Sequence, residues 1–164
     1  QREAERHHRR LMQALGHVGV LCVEYFVERG RLVANEMAPR VHNSGHWTIE
    51  GAGVSQFENH LRAVLGMPLG DTAVRGTAAM LNWVGELPPR DPVLAEAHAH
   101  WHDYGKLPRA GRKVGHATIC APDSRQVAAT LERLGRALQR EAQVAPVLAA
   151  LGSGSGHPKR RIEP

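Results

Sequence analysis

One stretch, residues 19–47, restricts the fold more than any other. GVLCVEYF, residues 19–26, alternates apolar with other side chains, which is the period of a strand. Val27-Glu28-Arg29-Gly30 follows as a turn containing a glycine, and residues 31–37 read as the returning strand of a hairpin. Pro39 lacks the N–H a sheet ladder needs and ends that strand. The next seven residues, Arg40-Val41-His42-Asn43-Ser44-Gly45-His46, are too polar to be a core.

The hairpin carries two carboxylates, Glu24 and Glu36, one on each strand. Side chains alternate faces along a strand, so a suitable register puts both on one face. Two ionised carboxylates held close repel each other, and a divalent cation removes that cost. Mg²⁺ takes a few carboxylate oxygens together with substrate phosphates, which suits a two-Glu site. The alternative, two solvent-facing strand carboxylates, stays open on spacing alone. Arg40, His42, Asn43, Ser44 and His46 then offer donors in a short loop, with Gly45 to let the backbone turn. Such a loop suits phosphate or carboxylate oxygens, although a merely solvated loop has the same composition.

Around this stretch the chain reads as two small α+β units, 1–70 and 71–150, with a flexible tail over 151–164. Residues 2–15 contain strong helix formers and no Gly or Pro, and Gly16 stops the helix. Ser55 with Glu58 fits a capping box, and Phe57, Leu61, Val64 and Leu65 are spaced for one buried helical face. Residues 66–71 are a break. Residues 77–84 and 113–121 read as strands, and 93–96 as a turn of helix. Asp123 and Ser124 cap a last helix running from Arg125 to about Gln143.

Lys106, Arg109, Arg112 and Lys113 crowd one turn around Pro108 and Gly111. Four cations there repel unless an anion is bound, and a phosphate monoester is the natural candidate. The formal net charge of +5 is otherwise concentrated at the two ends, which read as a solvated helix and a solvated tail, with no nucleic-acid role. His98, His100 and His102 alternate and would share one face of a strand; three histidines can hold zinc, but no fourth ligand is specified. Cys22 and Cys120 lie in apolar runs and read as buried thiols in a reducing compartment. No apolar run approaches a membrane span. The first residue is Gln, which suggests a fragment of a longer protein.

Two segments, VLCVEYFV…LVANEMAPRVHNSGHWTIEGAGVSQFENHLRAVLGMPL and YGKLPRAGRKVGH, resemble the C-terminal part of the 5-(carboxyamino)imidazole ribonucleotide synthase family, within the ATP-grasp superfamily. The resemblance implies an α+β fold: the C-terminal half of an ATP-grasp domain, an antiparallel sheet with helices, followed by a small α+β C-terminal domain. It implies ATP-dependent carboxylation of 5-aminoimidazole ribonucleotide by bicarbonate through carboxyphosphate, in purine biosynthesis, in a cytoplasmic homodimer. By position it makes Glu24 and Glu36 ligands of Mg²⁺ at the ATP phosphates, with Asn35 beside them. Arg40, His42, Asn43, Ser44 and His46 become the loop facing the transferred phosphoryl group and bicarbonate. Lys106 and Arg112, with Lys113, become clamps on the ribonucleotide phosphate. The N-terminal domain and central lid of that family are absent, so the chain alone is expected to be inactive. The competing readings are a formate-dependent ribonucleotide formyltransferase of the same superfamily, a non-catalytic dimerisation module, and a zinc- or nucleic-acid-binding domain.

Overall fold

The computed structural model describes residues 1–153, and the chain divides into two compact units, Gln1–Val74 and Arg75 onward. Both mix helix with antiparallel sheet. In the first unit, helix α1 (Arg2–Leu15) ends at Gly16 in the left-handed conformation. Strands β1 (Cys22–Glu28) and β2 (Arg31–Ala38) form the hairpin. The turn is tighter than the four residues expected: Arg29 and Gly30 alone connect the strands, both with positive φ. That backbone matches the twist of a hairpin, and glycine adopts it without a Cβ penalty.

A 3₁₀ turn (Asn43–Gly45), helix α2 (Thr48–Gly51) and helix α3 (Gln56–Val64) follow. Ser55 caps α3, its hydroxyl accepting from the Glu58 amide at 3.2 Å, while the Glu58 side chain turns to Arg62. The unit extends past residue 70 because the chain pairs back on itself: Gly53 N–H donates to Ala73 and Val54 N–H to Asp71.

The apolar face expected on α3 exists but is not buried. Leu61 is 59% exposed, Val64 56% and Leu65 70%, and Phe57 is only half-buried. The described residues of this unit are too few to cover it; Leu21, Ala38 and Ala52 are its only buried hydrophobic side chains among them.

The second unit holds the contiguous core. Its sheet has the order β3 (Thr77–Val84), β5 (Lys113–Ala121), β4 (Ala99–Asp103), antiparallel throughout. The short helix α4 is Asp91–Leu94. Leu81, Trp83, Ala117 and Ile119 pack with Val127, Leu131 and Leu134 of α5 (Ser124–Ala137) and Val144 of α6 (Glu141–Ser153). The single last helix expected to run to about Gln143 is therefore two. Gln139 takes a positive φ, and Arg140 N–H returns to Gly135 O at 2.7 Å. This is a left-handed helix end without the usual glycine. The predicted tail from 151 begins inside α6, and its remainder, 154–164, lies outside the described residues. Among the described residues no helix is long and apolar enough to cross a membrane.

Candidate functional site

The hairpin register sets Glu24 directly opposite Glu36. One residue further along β1, Tyr25 pairs with Ala34, so Asn35 is the extra residue of a bulge. In a regular strand Asn35 and Glu36 would point to opposite faces. The bulge re-aims the side chain, and Asn35 Nδ2 donates to Glu24 Oε2 at 3.2 Å while Glu36 stays beside Glu24.

His42 completes the cluster. Its Nε2 lies 3.3 Å from Glu24 Oε1 and 3.9 Å from Glu36 Oε1, and its side chain is 13% exposed against 43% and 59% for the two carboxylates. The ring is held from its other nitrogen: Ser44 N–H donates to Nδ1 at 3.3 Å, and Ser44 Oγ lies 2.9 Å away. With Nδ1 accepting, the neutral ring carries its proton on Nε2, facing the carboxylates. Glu24, Glu36 and His42 can each offer one ligand atom, all within 4.8 Å of one another, His42 only when Nε2 has lost its proton. This is the only such group of three among the described residues. Oxygen donors, most of them exposed, fit a hard divalent cation that keeps several waters.

The rest of the loop is shaped from α3, by a residue the sequence reading did not single out. Gln56 accepts from His42 N–H at 3.1 Å and donates to His42 O at 2.7 Å and His46 Nδ1 at 2.7 Å. The His46 ring also lies against Phe57, centroids 4.9 Å apart. Arg40 is exposed, and its Nη1 donates to Val41 O at 3.0 Å. Cys22 shares this neighbourhood and is half-buried, less enclosed than expected. Burial, with the Glu24 and Glu36 charges nearby, pushes its thiol up despite a hydrogen bond from Ser44, which disfavours the thiolate. Cys120 is also half-buried and unbridged. A cleft of about 460 Å³ between α1 and β1, lined by Ala4, Glu5, His8, Arg9, Val23 and Tyr25, contains none of the site residues.

In the second unit, Lys106 and Arg112 lie on the connection between β4 and β5, and Lys113 begins β5. Two cations of this turn have local partners: the Lys106 ammonium sits 5.0 Å from the Tyr104 ring centroid, and Arg112 Nη1 donates to Leu107 O at 3.3 Å. The loop is laced to Gly85 through Arg109 N–H and Arg112 O. Tyr104 is itself fixed, its hydroxyl 2.7 Å from Nδ1 of buried His116, on which His102 stacks at 4.2 Å. His98, His100 and His102 do not form an ion-binding group: His98 precedes β4, His100 is exposed, and His102 is stacked. In sequence Tyr104 and His116 have only a place in the segment YGKLPRAGRKVGH, with no role of their own.

Residues 1–57 match the ATP-grasp domain family, and residues 78–130 match the phosphoribosylaminoimidazole carboxylase C-terminal domain family. N5-carboxyaminoimidazole ribonucleotide synthase of Pseudomonas aeruginosa is 60% identical over 114 residues, 70% of this chain and 32% of that protein. The crystal structure of the N5-carboxyaminoimidazole ribonucleotide synthetase of Thermus thermophilus superposes with a TM-score of 0.75 at 57% identity, covering 83% of this chain and 38% of that one. The Aspergillus clavatus synthase, crystallised with ADP and 5-aminoimidazole ribonucleotide, gives a TM-score of 0.64 at 36% identity over 74% of this chain and 35% of that one. The chain thus spans about a third of the length of these relatives.

Proposed function

We propose, for a chain that corresponds to the C-terminal part of the N5-carboxyaminoimidazole ribonucleotide synthase family of ATP-grasp enzymes, that its whole protein carboxylates 5-aminoimidazole ribonucleotide with bicarbonate and ATP. The observation that carries this reading is the facing pair Glu24 and Glu36 with His42 Nε2 set between them. The unit Gln1–Val74 supplies this part of the nucleotide site, and the unit from Arg75 onward is the small C-terminal domain. The protein works in the cytoplasm as a homodimer, and residues 1–164 alone do not turn over.

Bicarbonate is a poor electrophile. Attack of one of its oxygens on the γ-phosphorus of ATP expels ADP and gives carboxyphosphate. The exocyclic amine of the ribonucleotide then takes the carboxyl carbon, phosphate leaves, and the nitrogen loses a proton. Phosphoryl transfer needs mainly positioning and charge neutralisation. Glu24 and Glu36 would hold Mg²⁺, which neutralises the phosphate oxygens, and Asn35 orients Glu24. Arg40, His42, Asn43, Ser44 and His46 supply donors toward bicarbonate and the transferred group. Lys106, Arg112 and Lys113 hold the phosphate of the ribonucleotide. Carboxyphosphate hydrolyses readily, so water must be kept from the site.

The full-length protein incubated with ATP, the ribonucleotide and labelled bicarbonate should yield an acid-labile labelled carbamate. Label entering only from formate would instead establish the formyltransferase reading. A dimer that neither binds nucleotide nor incorporates either label would leave a dimerisation module.

A further inference from the structure

Gln56 is the first residue of α3, next to the capping Ser55, yet its side chain turns back into the loop rather than to solvent. Its backbone N–H is satisfied by Thr48 Oγ1 at 3.0 Å, and that hydroxyl donates to Gly45 O. All of the amide's bonds therefore serve residues 42–46.

The orientation of the amide is fixed by chemistry. A backbone N–H can only donate and a carbonyl oxygen can only accept. The atom facing His42 N–H is thus Oε1, and the atom facing His42 O is the NH₂ nitrogen. That NH₂ spends one hydrogen on His42 O and directs the other to His46 Nδ1. Nδ1 must accept, so neutral His46 carries its proton on Nε2. Ser44 N–H imposes the same tautomer on His42.

We propose that Gln56 is a positioning residue: it fixes the His42–His46 loop and sets the His46 tautomer with its proton on Nε2. The role rests on the reading that this loop meets an oxyanion substrate, bicarbonate or the transferred phosphoryl group. A donor at a set position stabilises developing negative charge without reorganising during reaction. Without Gln56 the loop loses the side-chain bonds to His42 N–H and His42 O, the latter then held by Gly45 N–H alone, together with the donor that sets the tautomer of His46.

The test uses the full-length protein. In the ¹⁵N-histidine spectrum, with His46 assigned by its loss in His46→Gln, the parent should show Nδ1 unprotonated and Nε2 protonated near neutral pH. Gln56→Glu keeps the acceptor for His42 N–H but cannot donate. It should move a proton onto His46 Nδ1 and lower kcat roughly ten- to a hundredfold, with the KM for ATP within about twofold. Gln56→Met should lower kcat similarly. A parent His46 protonated at Nδ1, or parental kcat in both variants, overturns the proposal. The tautomer is read in the parent and so does not depend on either variant folding. His42→Ala and His46→Ala separate the two ideas. If both leave turnover intact while the parent tautomer is as stated, the functional reading of the loop fails and the positioning stands.

Discussion

Gly45→Ala puts the Gln56 anchor under direct strain. Gly45 lies in the 3₁₀ turn without a positive φ, so its backbone conformation does not demand glycine. On helix propensity alone, alanine would be better by about 1 kcal/mol. Space decides otherwise: a Cβ there would stand 2.6 Å from Gln56 Oε1 and 2.8 Å from its Cδ. A flexible side chain usually yields cheaply, but this one is tied to His42 N–H, His42 O and His46 Nδ1. Three net hydrogen bonds at roughly 0.5–1.5 kcal/mol each make about 1.5–4.5 kcal/mol at stake. After the propensity gain, the formed loop should lose about 0.5–3.5 kcal/mol, from roughly twofold to roughly four-hundredfold in its population. The assay is kcat/KM of the full-length protein for bicarbonate, in a double-mutant cycle with Gln56→Ala. Once the amide is gone, the added methyl has room, so Gly45→Ala should have little further effect. Fully additive losses in the double variant would refute the reasoning.

Other consequences are as concrete. A polypeptide of residues 75–153 should melt cooperatively, because its core is self-contained, whereas residues 1–74 should show no cooperative transition by calorimetry. Tyr104→Leu should raise the KM for the ribonucleotide several-fold by releasing Lys106, while Tyr104→Phe, which keeps the ring face, should stay within about threefold. Arg133 makes two hydrogen bonds to Glu96, of 2.8 and 2.7 Å, and holds its carboxyl below the usual value near 4.5. The stabilisation is then present above that value and is lost as pH falls through the lower folded value. Arg133→Met should lower the Tm at neutral pH, and thermal melts should show the gap to the parent closing in acid.

Local chemistry made much of this fold readable. The alternation of residues 19–26 and the turn glycine announce the hairpin, and the run of helix formers before Gly16 announces α1. What was not readable depends on neighbours. The bulge at Asn35 is a register property, invisible in a strand taken alone, yet it puts Asn35 and Glu36 on the same carboxylate. The helix break at Gln139 lacks the glycine that normally marks one, and the close return of α6 onto α5 compensates for it. Leu61, Val64 and Leu65 have the period of a buried face, but periodicity cannot say whether the covering layer belongs to the same stretch of chain. Gln56 passes in sequence for an ordinary first-turn residue; only the folded loop, fourteen positions away at His42, reveals its role. The alternating histidines failed as a zinc site for the converse reason, since a shared strand face does not by itself bring rings together.

The most direct test of the central claim is phosphate release from ATP by the full-length protein, with and without 5-aminoimidazole ribonucleotide, in the parent and in Glu36→Gln. The account predicts release that depends on bicarbonate and is stimulated by the ribonucleotide. It further predicts that Glu36→Gln, which removes one charge from the facing pair, abolishes release at ordinary Mg²⁺ concentrations. Parental release from Glu36→Gln would contradict the role given to the carboxylate pair, and release indifferent to the ribonucleotide would contradict the substrate.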